Sequence, residues 1–196
     1  MDTKEQFFKE LTSDLSLSIQ DLNDFSELFV MSKYSASDYF VQLGELTRTC
    51  GFVKNGIMRA YISDSEGEEA NLRFIQKYGF ISGSFAKGAT SSMNIQSLVD
   101  CEIYIANWDS ISEFLKSHKI LIKFFNTLLA SGHQSIVQRL STYLRNNAKL
   151  RYELFLKEYP NLINQIPHYH VANFIGITTV QLSRIRQKIA HEKIRK

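Results

Sequence analysis

The stretch from Pro167 to Lys188, PHYHVANFIGITTVQLSRIRQK, constrains this chain more than any other. Val171, Ala172 and Ile175 fall on one face of a helix. Gly176 follows, where a chain leaving a helix commonly needs positive φ. Ile177 is placed to plug the space between two helices. Thr178 stands at an N-cap position with Gln181 three residues on, the spacing of a capping box. Leu182, Ile185 and Ile189 then repeat at i, i+3 and i+7 as a buried stripe, which leaves Thr179, Gln181, Arg184 and Lys188 on the opposite face. Small Ala172 lets two helices cross closely. These features predict a helix-turn-helix whose second helix enters a DNA major groove. An αα-hairpin in a helical core is the plainer alternative, but it requires neither the Gly-Ile-Thr turn nor the Leu-Ser-Arg-Ile-Arg run.

The charge distribution points the same way. From Arg139 to Lys196 there are eleven Lys and Arg against three acids, a net +8, whereas residues 1–138 carry twelve basic and seventeen acidic groups, a net −5. An acidic front and a basic back direct a polyanion to the back alone. Cys50 and Cys101 are the only cysteines and lie far apart. Two such thiols make no zinc knuckle, iron–sulfur site or redox pair, and they are expected as reduced core residues of a cytoplasmic protein. The N-terminus, MDTKEQFFKE, has no apolar run of signal-peptide length, and no stretch reaches the ~18 apolar residues of a membrane span.

The 196 residues allow one or two domains. Residues 3–11 predict a short helix with Phe7, Phe8 and Leu11 apolar. Ser18 and Asp21 have capping-box spacing before a second helix with Leu22, Phe25, Leu28 and Phe29 on one face. From Val30 to Asp109 short apolar runs alternate with Gly, Asp and Ser, and seven of the nine glycines lie here. DSEG at 64–67 reads as a hairpin turn. Many short strands at this spacing suggest an antiparallel barrel, sandwich or roll. Asp109 or Ser110 is placed to cap a short helix through Leu115.

Lys119 to about Asn146 reads as one long helix. Its stripe is Ile122, Phe125, Leu129, Ile136, Leu140 and Leu144, joined at the start by Leu121, Phe124 and Leu128. Such a helix packs either on its own sheet or against a partner helix, and the breadth of the stripe favours dimerisation. Asn146-Asn147 is a break. Leu150, Leu154, Phe155 and Tyr159 form a further amphipathic helix, stopped by Pro160, and Leu162, Ile163 and Ile166 lead to Pro167.

A Gly-punctuated β-roll, a long helix and a basic helix-turn-helix, in that order, resemble the Crp/Fnr family of bacterial transcription regulators over essentially the whole chain. YELFLKEYPNLINQIPHYHVANFIGITTVQLSRIRQKIA is the most specific part, similar to a short-tailed branch found among Bacteroidetes. The resemblance implies an α+β fold: an antiparallel, cyclic-nucleotide-binding-like roll with N-terminal helices over 1–118, a dimerisation helix over 119–147, and a helix-turn-helix domain over 148–196. It also implies a homodimer on a two-fold symmetric site in double-stranded DNA, with RNA polymerase as a further partner. The DNA-binding residues would be Thr178, Thr179, Val180, Gln181, Ser183, Arg184, Arg186 and Lys188, with the tail Lys193, Arg195 and Lys196 adding non-specific attraction.

The sequence departs from the family in three places. Cyclic-AMP binders carry a Gly-Glu pair and, about ten residues on, an Arg that pairs with the phosphate. Here Gly83-Ser84 replaces Gly-Glu, Ser91-Ser92-Met93 stands at the Arg position, and Lys87 is the only cation in residues 79–100. An Arg fork on a buried phosphate is hard to replace. The expectation is therefore no cofactor and no cyclic AMP, with any unidentified small-molecule effector held near Ser82, Gly83, Ser84, Ser91, Ser92 and Met93, or the space filled by Phe85 and Met93. In the recognition helix a frequent family Glu is Val180, so the DNA site should differ from that of the best-known members. After Lys188 only eight residues remain, too few for the usual β-wing.

Two rivals stand beside this reading. An enzyme built on a cupin-like barrel would need metal-binding histidines, but His168 and His170 are the only close pair, and i and i+2 do not share a helix face. They are expected to be solvated or locally bonded. No nucleophile–base pair, P-loop or dinucleotide fingerprint occurs. The other rival is a ligand-sensing or protein-interaction module whose helix-turn-helix no longer reads DNA.

Overall fold

A computed structural model describes residues 3–85 and 88–194, without the side chains of 193 and 194. Two compact units make up the chain, residues 1–62 with 73–132 and residues 63–72 with 133–196.

In the first unit, α1 (Lys4–Leu11) and α2 (Ile19–Glu27) start where hydroxyl caps allow. Thr3 Oγ1 accepts from the Gln6 N–H at 3.2 Å, and Ser18 Oγ accepts from the Asp21 N–H at 3.0 Å. Eight strands follow: β1 (Val30–Tyr34), β2 (Tyr39–Val41), β3 (Thr49–Asn55), β4 (Met58–Ser63), β5 (Glu69–Ile75), β6 (Phe80–Ser82), β7 (Asn94–Ser97) and β8 (Cys101–Asn107). They form two four-stranded sheets in the orders β1-β8-β3-β6 and β2-β7-β4-β5, with antiparallel ladders such as Phe52 opposite both Phe80 and Tyr104. The fold is α+β, with an antiparallel roll as expected.

Alternation along the strands separates two apolar clusters. Val41, Val53, Met58, Ala60, Ile75, Ile81, Ile95 and Ile103 fill the roll. Phe52, Phe80 and Tyr104 join a second cluster with Phe7, Phe8, Phe25 and Phe29 of the N-terminal helices. Edge-to-face pairs such as Phe8–Phe25, 5.7 Å between centroids at 88°, order that cluster.

Helix α3 (Trp108–Ser117) begins two or three residues earlier than a cap at Asp109 or Ser110 would place it. Asn107 is the cap, its Oδ1 accepting from the Asp109 N–H at 2.7 Å. The reason is tertiary: the Trp108 indole is buried and donates to Ser82 Oγ at 3.0 Å, which fixes the helix start.

Helix α4 (Lys119–Arg145) belongs to both units. Its first part buries Leu121 and Phe125 in the aromatic cluster. Further on, Ile136, Leu140 and Leu144 are 63, 58 and 75% exposed, so the second half of the expected stripe is uncovered in a single chain.

The second unit holds α5 (Ala148–Glu158), a 3-10 turn (Leu162–Asn164), α6 (His168–Ile175) and α7 (Thr179–Ile194). Asn147 caps α5, accepting from the Leu150 N–H at 3.0 Å, so the break falls where the paired asparagines put it. Phe155, Tyr159 and Phe174 pack with centroids 5.5–5.7 Å apart, and Leu162, Val171, Ile175 and Leu182 are buried in the same unit. The hairpin tip at 63–72 also belongs here. Its turn is held by Asp64, whose Oδ1 accepts from the N–H groups of Glu66 at 2.9 Å and Glu68 at 3.0 Å. No strand follows α7 among the described residues.

Candidate nucleic-acid interface and the loop of the roll

The turn between α6 and α7 is built as its sequence dictates. Gly176 sits at φ 67° and ψ 51°; its N–H donates to Asn173 O at 3.1 Å, and the Ile177 N–H donates to Ala172 O at 3.0 Å. This is the Schellman pattern that ends a helix with a left-handed residue. A Cβ at Gly176 would overlap the Tyr143 ring. Two residues later the capping box closes: Gln181 N–H donates to Thr178 Oγ1 at 3.2 Å, and Thr178 N–H donates to Gln181 Oε1 at 3.0 Å.

That geometry orients α7. Leu182 is buried beneath it, and Ile185 and Ile189 are half-buried. Thr178, Thr179, Val180, Gln181, Ser183, Arg184 and Lys188 are exposed, so seven of the eight residues expected to meet DNA lie outward. Arg186 is turned elsewhere: half-buried, it lies 3.0 Å from both ring nitrogens of His168 and faces Tyr152. Burial pushes the Tyr152 phenol above its ordinary 10.0, and Arg186 opposes that shift. Gln181 is outward, and its carbonyl oxygen already accepts one hydrogen bond in the cap. Of the pair expected to be solvated or locally bonded, His168 is exposed, and His170 is not solvated but lies 3.9 Å from the Tyr169 ring between centroids. The His170 side chain is buried, because its position falls on the inner face of α6.

A network of side-chain amides and guanidinium groups, not expected from residue types, holds α6. Asn71 is fully buried; its N–H donates to Asn173 Oδ1 at 2.6 Å and its Nδ2 donates to His170 O at 3.0 Å. Asn173 Nδ2 donates in turn to Glu69 O. The Asn173 amide thus stands in for a peptide group alongside residues 69–71. Arg139 donates to Leu72 O and, at 2.9 Å, to Phe174 O, and stacks 4.1 Å over the Phe174 ring. Arg151 donates to Ile175 O at 2.8 Å and lies over Tyr143 at 4.7 Å. Two guanidinium groups therefore cap the carbonyl end of α6. The available signal was an amide inside each of two apolar runs, EANLRFI and HVANFI.

In the roll, hydroxyl groups at the end of β6 and shortly before β7 bond to nearby backbone. Ser82 Oγ donates to Ser84 O at 2.5 Å, and Ser91 Oγ donates to Met93 O at 2.5 Å. A Cβ at Gly83 would come within 2.6–2.7 Å of Ser91 Oγ and Thr47 Oγ1, so a side chain there would displace the loop. Phe85 lies on Phe80 and Trp108, at 5.3 and 6.4 Å between centroids, and Met93 packs against the roll core. Ser84 is half-buried and Ser92 exposed. Lys87, Arg195 and Lys196 lie outside the described residues, as does the side chain of Lys193.

Residues 31–118 match the cyclic nucleotide-binding domain family. Among solved structures, FixK2 from Bradyrhizobium japonicum is similar at a TM-score of 0.77 and 14% identity, over 85% of this chain and 86% of that one. The c-di-GMP-responsive global regulator CLP of Xanthomonas campestris is similar at 0.72 and 12%, over 90 and 93%. The catabolite activator protein of Thermus thermophilus follows at 0.59 and 17%, over 93 and 87%. The fold is that of the Crp/Fnr regulators. No curated protein matches the chain in sequence.

The domain match ends before α4, so in this Crp/Fnr fold the assignment of α4 to α7 stands on structural likeness. The chain is a mixed roll and helix-turn-helix like those regulators, and no described helix is long and apolar enough to cross a membrane. The match also spans Ser82 and Ser91, whose hydroxyl groups bond to nearby backbone.

Proposed function

We propose that this chain is a sequence-specific DNA-binding transcription regulator of Crp/Fnr type, acting as a homodimer on a two-fold symmetric site. Residues 1–118 serve as the sensory domain, 119–147 as the dimerisation helix and 148–196 as the DNA-binding domain. The observation that carries this reading is the outward face of α7. Thr179, Ser183, Arg184 and Lys188 are exposed, and no hydrogen bond or ion pair among the described residues engages Arg184 or Lys188. A helix held by Leu182 from below and offering free cationic and hydroxyl groups above suits a groove lined by phosphates and base edges. The uncovered Ile136, Leu140 and Leu144 of α4 supply the apolar surface for a second copy.

The sensory loop is not shaped for a cyclic phosphate. Ser84 stands at the Glu position of the resemblance and Ser91-Ser92-Met93 at the Arg position, where Ser91 spends its hydroxyl on Met93 O. An effector bound near Ser82, Gly83, Ser84, Ser91, Ser92 and Met93 would carry less negative charge than a cyclic nucleotide. Selection of bound duplexes from random DNA tests the main proposal. A pair of inverted half-sites is expected; recovery of no enriched sequence, with no salt-sensitive binding, would favour a helix-turn-helix that has lost its DNA role.

A further inference from the structure

We infer that Val180 reads a thymine in each half-site through the base's 5-methyl group. This rests on the DNA-reading proposal and deepens it by naming the base. Val180 lies in the first turn of α7, the part of a recognition helix that reaches base edges. It is 59% exposed, the one large apolar side chain on a face otherwise made of Thr179, Gln181, Ser183, Arg184 and Lys188.

The neighbours sharpen the assignment. The Gln181 carbonyl oxygen already accepts from the Thr178 N–H, so the residue beside Val180 has one acceptor site less for the bidentate grip on adenine. Val180 itself neither donates nor accepts. Against cytosine it would cover the N4 amine without a partner, and against guanine or adenine it would cover N7. Thymine alone presents a methyl group to the major groove, so an apolar contact there loses least and gains most. Arg184, one turn on and unengaged, lies on the same face for a neighbouring guanine or phosphate.

The test uses the full chain and the duplex selected from random DNA, with each thymine of the half-site replaced in turn by deoxyuridine, which lacks only the methyl. One thymine per half-site is expected to be sensitive, weakening wild-type binding about fourfold per half-site, the worth of one buried methylene-sized group. Val180→Ala should bind the thymine and uracil duplexes within about twofold of each other. Val180→Glu should move the preference at that position from thymine towards cytosine, since a carboxylate accepts from N4. The inference is overturned if no thymine is sensitive, or if the loss persists in Val180→Ala, with Thr179→Ser then showing whether Thr179 makes the methyl contact instead. Either result leaves DNA reading itself standing. Failure of the wild type to select any duplex would instead remove the parent proposal and this one with it.

Discussion

Replacing Gly176 by Ala tests the turn on which the second helix depends. Gly176 is at φ 67°, a left-handed conformation that costs an L-residue ~1–2 kcal/mol. Stiffening the unfolded chain returns roughly 0.4–1 kcal/mol. The added methyl also overlaps the Tyr143 ring, which is 48% exposed and free to swing aside, at the expense of its stacking with Arg151 4.7 Å away. Loss of an exposed cation–π pair adds about 0.5–1 kcal/mol. The net expectation is a loss of ~1–2 kcal/mol, or roughly 4–16 °C in the melting temperature of a unit of this size. Thermal and urea unfolding of wild type, Gly176→Ala, Tyr143→Ala and the double variant separate the contributions, because the double variant keeps the backbone strain and lacks the ring overlap. A Gly176→Ala protein as stable as wild type would refute the left-handed turn and the orientation of α7 that follows from it.

Three other outcomes are expected. Ile136→Glu places a carboxylate on the uncovered face of α4 and should turn a dimer into a monomer in light scattering; a wild type that is itself a stable monomer would contradict the dimer. Calorimetric titration with cyclic AMP should show no saturable heat, since Ser91-Ser92-Met93 stands where an Arg fork would be needed; a micromolar dissociation constant would contradict this. Burial pushes the Cys50 thiol from its ordinary 9.0 up to about 12. Its contribution to stability is therefore complete below pH 9 and lost as pH rises through about 12, and Cys50 should resist alkylation at pH 8 until the chain unfolds; fast labelling of the native protein would show that it is not buried.

Features fixed by neighbours along the chain were legible from residue types. The caps at Ser18 and Thr178, the break at Asn147 and the left-handed Gly176 each depend on contacts within a few residues. Features fixed by distant contacts were not. The start of α3 moved to Trp108 because its indole reaches Ser82, 26 positions earlier in the chain. Arg186 was expected to meet DNA beside Arg184, yet His168 and Tyr152 draw it inward. The stripe on α4 reads as one surface in sequence, but only its first part is packed within a single chain. Asn71 and Asn173 looked like ordinary polar residues, although each satisfies backbone groups roughly 100 positions away. In the roll loop, the absence of the Gly-Glu and Arg pattern was visible at once, whereas the inward bonding of Ser82 and Ser91 needed the fold.

The central claim is that the outward face of α7 reads base sequence. Binding of wild type and Arg184→Ala to the selected duplex and to single mismatches, across several salt concentrations, tests it most directly. If Arg184 contacts guanine, the variant should lose ~1–3 kcal/mol per half-site and discriminate poorly at one position in each, with half-sites ~34 Å apart on the duplex. Phosphate contact alone would instead weaken all duplexes alike and lower the salt slope by roughly one per lost contact. Unchanged affinity, specificity and salt dependence in Arg184→Ala would contradict the account.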